Sequence, residues 1–206
     1  MKLINKEIEA MTNIVNPSIV ESATKIPEVS KENFVCDDKV YVMGDFDRSI
    51  SSEVISGIMN IISMKRNTVN PLIEIYINSH GGYAHELFGL MSIMDIGRSY
   101  GIKFVTYNIG LAASCGSLLA VYGDHRYMSK YATNLMHLGQ AGSMFSTFKQ
   151  MERQNENNKK HFNKIIDIYA ASTKIDKKKI TELLTDDSLY LDPKQCLKYG
   201  LCDEVF

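Results

Sequence analysis

Apolar and polar positions alternate with two different periods along residues 39–206. Short runs in which nearly every second residue is apolar predict strands, and longer runs with apolar residues three and four apart predict helices. The predicted strands are residues 39–43, 72–78, 103–107, 125–128, 134–137 and 202–206. The predicted helices are residues 51–65, 83–100, 117–121, 145–171, 176–184 and 192–200. Strands that alternate with helices of this length favour an α/β core with crossover connections.

The ends of several helices have recognisable signals. Ser51 is predicted to be the N-cap of the first helix, and Asp176 that of the fifth. The last helix begins at Asp192-Pro193 and ends at Gly200, as expected for proline in the first turn and glycine after the last. In the second helix the predicted inward-facing residues are Leu87, Leu90, Met91 and Met94.

Residues 1–38 show no sustained periodicity. They hold Pro17 and Pro27, two of the four prolines, and many polar residues. This stretch is predicted to be an N-terminal extension that is ordered only in part, followed by one domain over residues 39–206.

The predicted helix at residues 145–171 is about 40 Å long at 1.5 Å per residue. Both of its ends are apolar, whereas residues 152–160 are polar on all sides. A helix of this kind either projects into solvent or bridges separate bodies.

Composition and charge exclude some classes of partner. The chain has 206 residues and a net charge of −1, so it offers no electrostatic reason to expect nucleic acid or a membrane surface. No apolar run approaches the length of a membrane span, and the N-terminus lacks the apolar core of a signal peptide. Four cysteines without a CxxC pair predict reduced thiols in a cytoplasmic protein and no zinc site.

One stretch, residues 109–116, has the composition of a catalytic turn. Three small residues lead from a predicted strand into Ser114, and a predicted helix follows. A serine at such a turn lies at the positive end of a helix, where free N–H groups stabilise a developing oxyanion. The alternative is a turn that serves packing alone.

A serine hydroxyl needs a base to remove its proton. His137 ends an apolar strand and precedes a loop with Gly139 and Gly142, so it is well placed to face a cleft. The alternative is a histidine that is merely hydrogen-bonded. His80 and His85 do not share a helix face, which argues against a metal site.

Gly81-Gly82 follows a predicted strand and opens a helix, so its N–H groups are able to point towards an anion. A simple tight turn is the alternative.

Four segments, in order and spacing, resemble the proteolytic subunit of the ATP-dependent Clp protease. They are IEIYINSHGG (73–82), GLAASCGSLL (110–119), LMHL (135–138) and LKYGLCDEVF (197–206). The resemblance covers residues 39–206. It implies an α/β fold of the Clp protease and crotonase type, in which stacked ββα units form a spiral and a long handle helix projects from it.

The resemblance also implies a role for each matching residue. Ser114 would be the nucleophile, His137 its general base, and the amides of Gly82 and Cys115 the oxyanion hole. The Cys115 thiol would point elsewhere. The handle helix, which meshes two seven-membered rings in the family, would be residues 145–171.

The chain departs from the family in three places, one of which is the polar middle of the long helix, residues 152–160, where the family has a more apolar pattern. His80 replaces a proline, which makes the oxyanion turn less rigid. An ungapped alignment places Ser188 where the family has the aspartate that orients the histidine. A shift of one residue lets Asp187 take this role, and we predict Asp187 as the third catalytic residue. The alternative is that Asp186 and Asp187 only end the preceding helix.

The resemblance therefore implies a serine endopeptidase that cleaves unfolded polypeptides inside a heptameric ring, stacked or single. Its expected partners are further copies of itself and an AAA+ unfoldase, which alone would use ATP, so no cofactor is expected. A non-catalytic ring subunit and a phage-type capsid-maturation protease remain alternatives. A crotonase-type acyl-CoA enzyme is a further one, although it would need neither Ser114 nor His137.

Overall fold

The computed structural model describes residues 32–138, 148–185 and 188–206. Within these ranges eight strands form one mixed sheet. The strands are β1 (Asn33–Cys36), β2 (Lys39–Val42), β3 (Leu72–Ser79), β4 (Lys103–Ala113), β5 (His125–Met128), β6 (Thr133–Met136), β7 (Leu189–Leu191) and β8 (Glu204–Val205). The predicted α/β class is confirmed.

Six α-helices accompany the sheet in the described ranges. They are α1 (Ser56–Lys65), α2 (Ala84–Ser99), α3 (Cys115–Val121), α4 (Phe148–Ser172), α5 (Lys177–Thr185) and α6 (Pro193–Tyr199). None of them, in the part of the chain that is described, is both long and apolar enough to cross a membrane.

The sheet order is β1-β2-β3-β4-β5-β8. β1 is antiparallel to β2, and the following pairs along this path are parallel. β4 has two partners along one edge, because β5 pairs with residues 105–108 and β6 pairs with residues 111–113. β6 therefore leaves the main path, and β7 pairs with it in the antiparallel direction.

The core lies between the sheet and its helices. Ile73, Ile75 and Ile77 of β3 are fully buried, as expected for alternate residues on one face of a strand. Burial of each such side chain contributes about 1.5–3 kcal/mol relative to exposure. The four predicted inward residues of α2 are all buried, which confirms the predicted face of that helix.

The other face of the sheet has a row of stacked aromatic rings. Phe34, Tyr41, Tyr76, Tyr107 and Tyr127 are direct neighbours on five adjacent strands. Consecutive ring centroids lie 4.6, 5.4, 4.7 and 4.9 Å apart. Aromatic cross-strand pairs stabilise a sheet, and a shift by one residue would break every stack, so this row favours the observed register.

Strand β1 lies inside the stretch predicted as an N-terminal extension. It forms a hairpin with β2 through Asp37, whose φ is 53°. The compact unit begins at Glu32. Four residues of β1 are too few to show a period, so only the pairing with β2 reveals the strand.

The prediction that Ser51 is an N-cap is wrong. Residues Ile50–Ile55 form a π-helical segment that runs into α1, and the preceding residue, Ser49, has no capping hydrogen bond. The Ser51 hydroxyl donates instead to the buried carboxylate of Glu86 on α2. Ser51 thus bonds to a residue of another helix instead of to a backbone N–H of its own helix.

Other predicted ends are confirmed. Asp176 Oδ1 accepts from Lys179 N at 2.8 Å, and Asp192 forms a capping box with Gln195. Gly200 ends α6 with φ 74°. The predicted long helix is observed as α4, and residues 145–147 of its predicted range lie outside the described residues. β4 extends to Ala113 instead of ending at Tyr107, because its last residues pair with β6.

Arg126 joins the last turns of the fold to the sheet. Its guanidinium contacts Asp203 at 2.6 Å (Nη2–Oδ1) and 3.0 Å (Nε–Oδ2). Nη1 also donates to the carbonyl oxygens of Ser172, at the end of α4, and of Gly200, after α6. The Arg126 side chain is 15% exposed, so these charge-assisted bonds are partly shielded from water.

We expect Arg126→Ala to lower the free energy of unfolding by about 2–3 kcal/mol, since it leaves partly buried acceptors without their charged donor. Chemical denaturation of the two proteins measures this. Arg66→Ala is the matched control, because Arg66 is exposed at the end of α1 and its loss should cost less than about 0.5 kcal/mol. Equal effects of the two substitutions would contradict this role of Arg126.

The Arg126–Asp203 pair also predicts a pH dependence. Its hydrogen bonds lower the pKa of Asp203 below the ordinary value. A carboxyl with a depressed folded-state pKa stabilises the fold above its unfolded-state pKa, and this contribution is lost as the pH falls through the folded-state pKa. Asp203→Asn should therefore destabilise the protein at neutral pH, and the difference in unfolding free energy should shrink below about pH 4. A constant difference between pH 7 and pH 3 would contradict the assignment.

Candidate active site

Three neighbouring parallel strands end at the same edge of the sheet. β3 leads into Gly81-Gly82, β4 into Ser114, and β6 into His137. Ser79 pairs with Ala112, and Ala113 with Leu135, so the three chain segments leave the sheet side by side. In α/β sheets, ligands bind outside the carboxyl ends of parallel strands.

Ser114 joins β4 directly to α3 in a strained conformation. Its φ is 54° and its ψ −118°, which is uncommon for any residue other than glycine. Two backbone hydrogen bonds hold it there, since its N–H donates to Leu135 O at 3.0 Å and its carbonyl accepts from Leu118 N at 3.1 Å. Strain of this kind persists only where the surroundings enforce it, and it occurs often at active sites.

The glycine turn packs directly against Ser114. A Cβ on Gly81, whose φ is 104°, would lie 2.5 Å from Ser114 Cβ. Phe46 anchors the turn, because its N–H donates to Gly81 O and its carbonyl accepts from Tyr83 N, both at 2.7 Å. This pairing does not use the N–H of Gly82, the exposed residue between them.

Cys115 is the first residue of α3, so its N–H has no acceptor within the helix. Its thiol is buried and donates to Gly82 O at 3.3 Å. Burial raises the pKa of this thiol to about 11. The thiol is therefore protonated at neutral pH and ties the glycine turn to α3.

His137 and Ser114 border the same cavity. No hydrogen bond joins the two side chains, both of which belong to the described ranges. Catalytic hydrogen bonds are often long without substrate and shorten in the complex. Burial lowers the pKa of His137, which favours the neutral imidazole that a general base requires.

The cavity has a volume of about 470 Å³. The cavity is lined by residues that follow β3, β4 and β6 and by residues of α2, α3 and α4. Its lining consists of His80, Gly82, Tyr83, Ala84, Phe88, Ser114, Cys115, Leu118, His137, Leu138, Asn158, His161, Phe162 and Ile165.

His80, which replaces the proline of the family pattern, lines this cavity, whereas His85 contacts the carboxylate of Glu86 at 3.5 Å. Among the described residues, no group of three or more histidine, cysteine or acidic side chains is arranged to hold a metal ion.

The third predicted catalytic residue, Asp187, lies outside the described residues, as does Asp186. Ser188 is described and exposed. The last pair between β6 and β7 is Met136 with Leu189, so His137 and Ser188 are the next residues on the two strands. β7 thus pairs with the strand that leads into the predicted base.

Two contributors to this site are not predictable from the sequence. Phe46 has no local signal, because its role depends on main-chain bonds to a turn 35 residues away. The contribution of α4 to the site has only a partial signal in the sequence. Phe162 and Ile165 belong to one apolar end of the predicted long helix, and no pattern in the sequence indicates that they line the same cavity as Ser114.

Comparison with known proteins agrees with this geometry. The family model described as Clp protease matches residues 22–206. Several similar curated proteins are ATP-dependent Clp protease proteolytic subunits. The one from Deinococcus radiodurans is 31% identical over 135 residues, which are 65% of this chain and 64% of that protein.

The subunit from Bdellovibrio bacteriovorus is 26% identical over 173 residues, covering 82% of this chain and 78% of that protein. Subunit 2 from Chlamydia trachomatis is 32% identical over 138 residues, covering 65% of this chain and 64% of its own length. The chain thus spans slightly less than two thirds of the Deinococcus and Chlamydia relatives. Since the family model matches residues 22–206, well over half of the chain, the chain belongs to the Clp protease family.

Proposed function

We propose that this chain is a serine-type endopeptidase of the Clp proteolytic type. The proposal rests on one observation. β3, β4 and β6 end at the same side of the sheet, and Gly82, Ser114 and His137, which follow them, border one cavity. A nucleophile, a base and main-chain N–H donors are the groups that acyl transfer to serine requires. A crotonase-type enzyme would need neither Ser114 nor His137, so their shared cavity favours the peptidase.

In the proposed reaction, Ser114 Oγ attacks the carbonyl carbon of the scissile peptide bond. His137 accepts the hydroxyl proton and then delivers it to the leaving amine, which departs as the C–N bond breaks. The N–H groups of Gly82 and Cys115 stabilise the oxyanion of the tetrahedral intermediate. Water, activated by His137, then hydrolyses the acyl-enzyme and restores Ser114.

Asp187 is the proposed third member. A carboxylate beside the base fixes its tautomer and stabilises the imidazolium that forms during attack. The pairing of β7 with β6 supports this choice, because it ends at Leu189 and Met136, and Asp187 lies two residues before Leu189 in the sequence while His137 directly follows Met136. No cofactor has a part in this scheme.

The proposed substrates are unfolded polypeptides that bind as an added strand beside the glycine turn. The proposed assembly is a heptameric ring of this chain, single or stacked in pairs through α4, and the proposed partner is an AAA+ unfoldase that uses ATP to feed the chamber. A cytoplasmic location belongs to the same proposal. Family membership supports each of these.

A fluorophosphonate probe should label the assembled native protein, because the activated Ser114 hydroxyl attacks the phosphorus. Ser114→Ala should abolish labelling, and in-gel fluorescence measures both. Ser99→Ala is the matched control, since Ser99 is exposed at the end of α2 and outside the cavity lining, so labelling should persist. A folded native protein that resists the probe would refute the proposed activity.

Three substitutions test the third residue. Asp187→Asn should lower kcat for a fluorogenic peptide by about 10⁴-fold, the effect known for loss of an orienting carboxylate. Asp186→Asn removes the neighbouring charge and serves as the matched control, and Ser188→Ala tests the ungapped alignment. Both should retain activity within about threefold of the native protein. Should Ser188→Ala or Asp186→Asn have the largest effect, Asp187 is not the orienting group.

The proposed role of His137 as general base also predicts how kcat/KM depends on pH. Activity requires neutral His137, so kcat/KM should fall as the pH drops through its pKa. A nearby carboxylate stabilises the imidazolium and raises that pKa, whereas burial lowers it. In Asp187→Asn only the effect of burial remains, so the residual activity should have its acid limb at lower pH than the native protein. A shift to higher pH would contradict these assignments.

A further inference from the structure

A chain of buried hydrogen bonds connects the handle helix to both catalytic elements. Tyr169 of α4 donates its phenol proton to Ser117 Oγ at 2.8 Å, and Ser117 Oγ donates to Asn134 Oδ1 at 2.6 Å. Ser117 lies one turn after Ser114 on α3. Asn134 lies three residues before His137 on β6.

All three side chains are removed from water. Tyr169 and Ser117 are 0% exposed, and Asn134 is 2% exposed. Burial raises the pKa of Tyr169, so the phenol remains protonated and acts as a donor. Each polar atom in the chain thus depends on its neighbour, because a buried polar group without a partner is costly.

Apolar residues near Ser117 and Tyr169 in the sequence are also buried. They are Cys115, Leu118 and Leu119 of α3, and Ile165 of α4, one turn before Tyr169. Apolar residues of similar volume would fill such a place without the geometric demands of hydrogen bonds. The hydrogen bonds among Tyr169, Ser117 and Asn134 instead favour one arrangement of α4, α3 and β6.

The arrangement matters because the nucleophile and the base lie on different elements. One main-chain bond, Ser114 N to Leu135 O at 3.0 Å, connects them directly. The bond from Ser117 to Asn134 is a second connection, one turn deeper, and the two together restrict rotation of α3 against β6. A misplacement of about 1 Å between reacting groups lowers a rate by up to about 100-fold.

We infer that Tyr169 is a positioning residue that acts through Ser117 and Asn134 to hold the nucleophile and the base in register. The inference deepens the proposed function and rests on it. Tyr169 touches neither substrate nor reacting atoms, and it contributes by completing the hydrogen bonds of Ser117. The handle helix thereby supports the catalytic geometry from within one subunit.

The test compares Tyr169→Phe, Ser117→Ala and the double variant in the assembled protein. Tyr169→Phe should lower both kcat and the rate of phosphonylation of Ser114 about tenfold, with KM unchanged, because alignment and not substrate binding is impaired. In the double variant the tyrosine change should have no further effect, since Tyr169 acts only through Ser117. Multiplicative effects of the two substitutions, or a rate unchanged in Tyr169→Phe, would overturn the inference.

Ile58→Val is the control for stability alone. Ile58 is fully buried in α1 and away from the cavity lining, and its truncation should lower the unfolding midpoint by an amount similar to that of Tyr169→Phe. The rate in Ile58→Val should stay at the native value. An equal fall in rate in both variants would reduce Tyr169 to a structural residue.

A second measurement is independent of catalysis. If the hydrogen-bond chain holds α3 against β6, then the Ser114 amide, which donates to Leu135, should exchange with solvent about tenfold faster in Tyr169→Phe than in Ile58→Val. Unchanged exchange overturns the inference. Failure of the native protein to react with the probe would refute the proposed function instead, and the exchange measurement would still decide the role of Tyr169.

Discussion

The pairing of β4 with two different strands along one edge is the constraint on which this molecule depends. Its first half pairs with β5 and its second half with β6, while β3 pairs along the other edge. Because β3, β4 and β6 are parallel, the residues that follow each of them emerge together. Gly82, Ser114 and His137, which lie on three different segments of the chain, therefore border one cavity.

Hydrogen bonds from neighbouring residues fix the positions of the glycine turn and Ser114 at this end of the sheet. Phe46 holds the glycine turn from one side, and the Cys115 thiol holds it from the other through Gly82 O. The strained φ of Ser114 is maintained by bonds to Leu135 and Leu118. Each of these contacts is made by a group that takes no direct part in chemistry, which is how a preorganised site is supported.

Much of the fold was predictable because its signals are local. The face of α2, the caps at Asp176 and Asp192, and the strand-to-helix turn at Ser114 follow from period, capping chemistry and small residues. The failures share a cause. Ser51 bonds to Glu86 on another helix instead of capping its own, β1 exists only through pairing with β2, and the end of β4 depends on β6.

By itself the sequence determined which residues are candidates for chemistry and roughly which element holds each, because residue type and spacing are properties of the chain. It also indicated the family, through four short segments in register. Only the tertiary structure decided what lies beside what: that α4 lines the cavity, that the Cys115 thiol points at Gly82, and that Tyr169, Ser117 and Asn134 form one chain of bonds. These are contacts between distant segments, and no local pattern specifies them, since each depends on how three or more elements pack at once.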